Sequence, residues 1–314
     1  ALNQVFGAYA IAVFDKSKPN EIIVARLGSP IAIGIGKNNS EFFIASDASP
    51  FIEYTKDTIY LQDEELAIIR LERDVKVRKI KSDSLIEANV QELQLNLEEI
   101  EKGGYEHFML KEIFEQPKAV TDTYRGRMLP NEGIIKMSGV ENNIKRFLNA
   151  NRIIIVACGT SWHAGLVAEY LFENLARIPV EVEYGSEFRY RNPIITEKDV
   201  VIAISQSGET ADTLAAVKMA KAKGAFVFGI CNVVGSSIAR ETHTGSYTHA
   251  GPEIGVASTK AFTTQITLLM LVALRLGHAN GNLSVEEFHQ CLAAMELVPD
   301  QILSVLANDD HIKY

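Results

Sequence analysis

The residues best placed to do chemistry lie in the run ISQSGETADT, where Ser205, Ser207, Thr210 and Thr213 crowd around Gly208, with Gln206, Glu209 and Asp212 between them. An apolar run, Val200 to Ile204, precedes the cluster and a helical pattern, Thr210 to Lys223, follows it, so the cluster is a strand-to-helix turn. A helix N-terminus offers unpaired N–H groups and roughly half a positive charge, and hydroxyls add side-chain donors around the same point. That combination captures anions. Each hydrogen bond to a charged group contributes about 1.5–3 kcal/mol, so three or four hydroxyls hold a phosphate without a lysine or arginine. Helix capping alone would need one hydroxyl, and it leaves the rest of the cluster unexplained. The pattern GxxxxGK[ST] is absent, and Gly34-Ile35-Gly36 lacks a third glycine and lies between strands, where it reads as a hairpin.

Two further turns share this design. Ala157-Cys158-Gly159-Thr160-Ser161 follows an apolar strand and opens a helix, and Gly255-Val256-Ala257-Ser258-Thr259 precedes another helix. The elements that position them alternate: strands at Arg152 to Ala157, Val180 to Tyr184, Val200 to Ile204 and Ala225 to Cys231, helices at Ser161 to Ala176, Thr210 to Lys223, Ser258 to Leu276 and Val285 to Leu306. Near-continuous apolar strands joined by helices predict a parallel sheet covered on both faces, with ligands beyond the carboxyl ends of the strands. The three turns then line one pocket suited to a phosphorylated sugar.

Residues 1 to about 80 carry short β-type runs at Tyr9 to Phe14, Glu21 to Ala25, Ile31 to Ile35, Glu41 to Ala45, Thr58 to Leu61, Leu66 to Leu71 and Val75 to Ile80, with turns at residues 16–20 and 36–40. They predict antiparallel sheet. Composition shifts after Ser82, and Gly103-Gly104 marks a break; residues 106–116 then read as a short helix stopped by Pro117. The first segment opens within a strand and Asp309 to Tyr314 ends without a stop signal, so both ends are expected to be cut from a longer chain.

With 314 residues, 47% hydrophobic content and a net charge of -9, the composition argues for a globular protein of two domains and against nucleic acid or an anionic membrane surface as partner. The longest greasy stretch, Ile266 to Leu276, is too short to span a bilayer and reads as a buried helix. Cys158, Cys231 and Cys291 have neither disulfide nor metal spacing, which implies free thiols in the cytoplasm. Cys158 reads as a core thiol, Trp162 and His163 as packing or surface, and Glu209 as an acid favoured by the helix dipole rather than a general base. His243 and His249 lack a third ligand for a metal. The acidic run Glu98, Glu99 and Glu101 reads as a solvated helix face. Lys260 and Arg189 are the cations most able to approach a bound anion.

The stretches ACGTSWHAG, SEFRYR, ISQSGETADTLAA, CNVVGSSIARE and EIGVASTKAFTTQ closely resemble the sugar isomerase (SIS) domain family, and specifically the isomerising glutamine:fructose-6-phosphate aminotransferases. GAYAIAVFD, ARLGSPIAIGIG and FFIASDASPF resemble the later half of that family's glutaminase domain. The resemblance implies an α/β chain: residues 1–96 as part of an Ntn-type glutaminase β-sandwich, 97–105 as linker, and 106–314 as isomerase region with a first SIS domain over about 140–280. It implies the family's conversion of fructose 6-phosphate and glutamine to glucosamine 6-phosphate and glutamate, without a cofactor, in a homodimer. By the match, Ser205, Gln206, Ser207 and Thr210 form the phosphate-holding loop, Thr160 and Ser161 touch sugar and phosphate, and Val256 and Ser258 close the pocket. No catalytic residue of the family falls in this chain: its nucleophilic cysteine and its Schiff-base lysine both belong to parts outside it. The chain is therefore expected to be silent by itself; the alternative is a regulatory module that only binds a sugar phosphate.

Overall fold

The computed structural model describes residues 1–71, 73–92 and 102–309. Two compact units result, Ala1–Glu101 and Lys102–Tyr314. The boundary expected at residue 96 and the acidic run Glu98, Glu99 and Glu101 lie outside the described residues.

In the first unit, strands β1 (Tyr9–Phe14), β2 (Glu21–Leu27), β3 (Ala32–Ile35), β4 (Phe42–Ala45), β5 (Asp57–Tyr60), β6 (Glu65–Arg70), β7 (Lys76–Lys79), β8 (Leu85–Ile86) and β9 (Val90–Glu92) form two antiparallel sheets, ordered β1-β2-β6-β7-β8 and β4-β3-β5-β9. Alternate side chains of both meet in one core: Val24, Ala67, Ile69 and Val77 from the first sheet pack with Ile33 and Ile59 from the second. The pattern follows from the period of two along a strand, which sends every second residue inward. Gly34-Ile35-Gly36 lies at the β3–β4 hairpin, which Gly36 closes by donating its N–H to the Glu41 carbonyl at 2.9 Å.

The second unit opens with helices α1 (Phe108–Phe114) and α2 (Gln116–Tyr124). Pro117, expected to end a helix, instead stands in the first turn of α2, where its missing N–H has no helical partner to lose. A hairpin, β10 (Met128–Leu129) with β11 (Ile134–Ile135), and two short helices, α3 (Ser138–Glu141) and α4 (Ile144–Leu148), lead into the sheet.

Strands β12 (Arg152–Ala157), β13 (Val180–Tyr184), β14 (Asp199–Ser205), β15 (Phe226–Cys231) and β16 (Thr244–Tyr247) are all parallel, in the order β13-β12-β14-β15-β16. Helices α5 (Thr160–Leu171), α6 (Gly185–Tyr190), α7 (Ala211–Ala222), α8 (Ser237–Glu241), α9 (Lys260–Ala279) and α10 (Val285–Leu306) cover it. A π-helical turn, Phe172–Ala176, prolongs α5. One face buries Ile153, Ile155, Ile202 and Ile204 under residues of α5, α9 and α10, and the other buries Ile154, Val156, Val201 and Ala203 under α6, α7 and α8. Both faces are covered, so the three central strands β12, β14 and β15 are apolar and buried nearly throughout, while the edge strands β13 and β16 are not.

Helix α9 extends 20 residues, longer than its greasy centre, and is long and apolar enough to cross a membrane by length and composition. Leu268, Leu271, Val272 and Leu276 are all fully buried in the core of the unit, so its apolar surface already has a partner.

Candidate anion site at the switch point of the parallel sheet

Strand β12 pairs with β13 on one side and β14 on the other, so the chain leaves the ends of β12 and β14 in opposite directions. A crevice opens between those ends, the usual ligand position in an open parallel sheet. The loops that follow the two strands both line a cavity of about 400 Å³, walled by Cys158, Gly159, Thr160, Ser161, Gln206, Ser207, Thr210, Val256, Ala257 and Ser258. Seven of the eight residues expected to form the site therefore face one space: Thr160, Ser161, Gln206, Ser207, Thr210, Val256 and Ser258.

Ser205 stands apart. It is buried, its Oγ accepts the Gly208 N–H at 2.9 Å, and it lies 3.0 Å from the Thr210 hydroxyl. These bonds fold the loop from within. Gly208 makes that fold possible: its φ of +66° is left-handed, and an added Cβ would sit 1.9 Å from the Ser236 Oγ. Ser207 Oγ accepts the Glu209 N–H at 3.2 Å, and its own proton remains to be donated. At the first turn, Gly159 has φ 59° and ψ -135°, a conformation open only to glycine, and it sets Thr160 and Ser161 at the start of α5.

Helices α5 and α7, each of 12 residues, both begin at the cavity. Their first N–H groups have no partner within the helix and give the space a positive potential. The third turn differs. Glu253 Oε1 accepts the N–H groups of Thr259 at 2.9 Å and Ala261 at 3.0 Å, so the start of α9 already holds a carboxylate. Glu112, on α1, grips the same loop, accepting from Ile254 at 2.6 Å and Gly255 at 2.9 Å. The loop contributes Val256, fully exposed, and Ser258, whose buried Oγ has no hydrogen-bond partner among the described residues.

No lysine or arginine lines the cavity. Lys260 is buried and its ammonium pairs with Glu115 at 2.6 Å, so the approach to a bound anion expected of it is not found. Arg189 pairs with Asp212 at 3.4 Å and lies over the Tyr190 ring. Glu209 accepts the Ser237 N–H at 2.8 Å, at the start of α8. Cys158, expected in the core, is half-buried and lines the cavity, with Sγ 3.7 Å from Thr213 Oγ1. Cys231 lies beneath the loop, where burial pushes its thiol up to about 12 against the smaller opposing effect of the nearby Ser236 hydroxyl. Trp162 stacks on Tyr184, ring centres 4.3 Å apart, and His163 Nδ1 lies 3.0 Å from the Gly159 carbonyl. His243 Nδ1 accepts the Val227 N–H at 3.0 Å.

Gln265 was not singled out from sequence. It is buried on α9 and donates from Nε2 to Ser161 Oγ at 3.0 Å. The available signal is an amide at the same helical face as Ala261, Leu268 and Val272, all buried.

The SIS domain family matches residues 146–275. Glutamine–fructose-6-phosphate aminotransferase (isomerizing) of Bacteroides thetaiotaomicron is 54% identical over 312 residues, 99% of this chain and 50% of the relative. The enzyme of the same name from Chlorobaculum tepidum is 54% identical over 313 residues, 100% of this chain and 50% of its own length. Among solved structures, the C-terminal domain of glucosamine-fructose-6-phosphate aminotransferase from Francisella tularensis superimposes with a TM-score of 0.64 at 38% identity, covering 68% of this chain and 59% of that one. The chain spans about half the length of the curated relatives it matches. Residues 146–275, which include the sheet that builds the cavity, are thus a SIS domain, and over its full length the chain is similar to about half the length of the glutamine–fructose-6-phosphate aminotransferases.

Proposed function

We propose that the cavity is the sugar-phosphate half-site of an enzyme that converts fructose 6-phosphate and glutamine to glucosamine 6-phosphate and glutamate. One observation carries this reading: two helix N-termini and the hydroxyl-bearing residues Thr160, Ser161, Ser207 and Thr210 line a single space that has no cationic side chain in its wall. A phosphate dianion accepts hydrogen bonds on every oxygen, and such a donor-rich neutral nest suits it. Reversible exchange of a metabolite fits a nest without a lysine. In this reading Gln206, Ser207 and Thr210 hold the phosphate, Thr160 and Ser161 reach phosphate and sugar, Val256 and Ser258 close the pocket, and Ser205 supports the loop from behind.

None of these groups is a proton-transfer catalyst, and Glu209 is engaged at α8. The chain then supplies binding and no chemistry by itself, and needs no cofactor. Residues 1–96 are, in the same reading, the later part of the glutaminase domain, and residues 106–314 the isomerase region, paired as a cytoplasmic homodimer.

Titration of the chain with fructose 6-phosphate or glucosamine 6-phosphate, read by thermal unfolding, tests the site. At a hundred times the Kd the ligand adds about 2.7 kcal/mol, a clear rise in Tm, while fructose without its phosphate gives none. No shift at millimolar sugar phosphate overturns the reading.

A further inference from the structure

A hydroxyl helps hold an anion only when its proton points at it. Ser161 is 6% exposed and lines the cavity, and the Nε2 of Gln265, itself 2% exposed, donates to its Oγ at 3.0 Å. A serine oxygen has one proton to give. With the amide occupying a lone pair, that proton is left for the open side of the residue, where the cavity lies. The inverted amide, with its carbonyl toward Ser161, would bury both N–H groups without a partner. The arrangement present leaves one N–H and the Oε1 without a partner among the described residues, one buried N–H fewer than the inverted amide, and an under-satisfied carbonyl is the less costly of the two.

We propose that Gln265 is a positioning residue that fixes the Ser161 hydroxyl as a donor into the cavity, and so biases the site toward an acceptor-only ligand, a phosphate dianion. The inference rests on the sugar-phosphate reading of the cavity. Gln265 reaches the ligand through Ser161 and does not line the space itself. Its isostere glutamate would reverse the arrangement: an ionised carboxylate accepts the Ser161 proton and sets a negative charge behind it, whereas a protonated carboxyl can donate again.

The test uses the full chain and fructose 6-phosphate, with Kd measured by calorimetry from pH 6 to 8.5 for the unaltered protein, Gln265→Glu and Gln265→Met, the last also in a Ser161→Ala background. Gln265→Glu should bind about ten-fold or more weakly at the alkaline end, the loss of one hydrogen bond to a charged group, and the gap to the unaltered chain should narrow as pH falls. The phosphate's own titration, second pKa about 6, is common to both proteins and cancels in the ratio. Gln265→Met should weaken binding in the unaltered background and add nothing once Ser161 is alanine. A ratio for Gln265→Glu that stays at one across the pH range overturns the inference, as does an equal cost of Gln265→Met in both backgrounds. Should Gln265→Glu fail to fold, the Gln265→Met cycle decides alone. An unaltered chain that binds nothing overturns the sugar-phosphate reading itself, a result distinct from normal binding with indifferent Gln265 variants.

Discussion

The Lys260 ammonium lies 2.6 Å from the Glu115 carboxylate, buried behind the loop that carries Val256 and Ser258. This pairing turns Lys260, which follows that loop in the chain, away from the cavity and makes it a structural group. Glu115 also has Lys111 at 3.5 Å and is partly exposed. Replacing Lys260 by Met is therefore expected to cost about 2 kcal/mol in urea unfolding, less than the ~3–5 kcal/mol for breaking a fully buried pair. Affinity for fructose 6-phosphate should stay within about two-fold, well short of the loss of a charged hydrogen bond. A ten-fold fall in affinity at unchanged stability would place the ammonium on the ligand instead.

Ser205 and Ser207 are two residues apart yet have opposite surroundings. Ser205→Ala leaves the buried Gly208 N–H without its acceptor, which costs about 1–3 kcal/mol of stability. Ser207 faces the cavity, so Ser207→Ala should lower sugar-phosphate affinity about ten-fold or more at nearly unchanged Tm, by loss of one hydrogen bond to a charged group. Paired measurements of Kd and Tm separate the two; the same signature for both serines contradicts the division of roles.

The thiols give a third check. Only a thiolate reacts, and Cys231 is 1% exposed with its thiol pushed up to about 12 by burial. Cys158 is half-buried in the cavity wall. Iodoacetamide at pH 8 followed by peptide mass mapping should find Cys158 modified well before Cys231, and saturating fructose 6-phosphate should slow the labelling of Cys158. Labelling of Cys158 that ignores the ligand would mean that the sugar phosphate binds elsewhere.

Much of this architecture was legible because burial imposes a pattern. Strand β12 and helix α10 coincide with the expected ranges, since both faces of the sheet and one face of the helix must be apolar. Strand β16, Thr244–Tyr247, was missed: Thr244, Gly245 and Ser246 give no apolar signal, and β15 is its only partner in the sheet. The hydroxyl turns could be placed at one crevice because parallel sheets fix where strand ends meet. What decided the fate of individual side chains was not local. Glu112 reaches Ile254 across 142 residues, Lys260 reaches Glu115 across 145, and Gln265 reaches Ser161 across 104. No periodicity encodes such pairs, so the expectation for Lys260 failed and the role of Gln265 was invisible.

The pH response of the second unit follows from His243. Loss of hydration, and then the nearby Lys221 ammonium, hold its imidazole below the ordinary 6.5, and Nδ1 already accepts the Val227 N–H. In the unfolded chain the ring protonates near 6.5, while in the folded chain it resists until lower pH. Protons therefore favour the unfolded state between those two values. Stability is full above pH about 6.5, falls as the pH drops from there to the depressed folded pKa, and levels off below it. His249 shifts in the same direction, through burial and then Arg127, and adds to the slope. His243→Gln keeps an acceptor for Val227 but cannot titrate, so its Tm should fall less between pH 7.5 and 5.5. Identical slopes for variant and parent would assign the acid sensitivity to other groups.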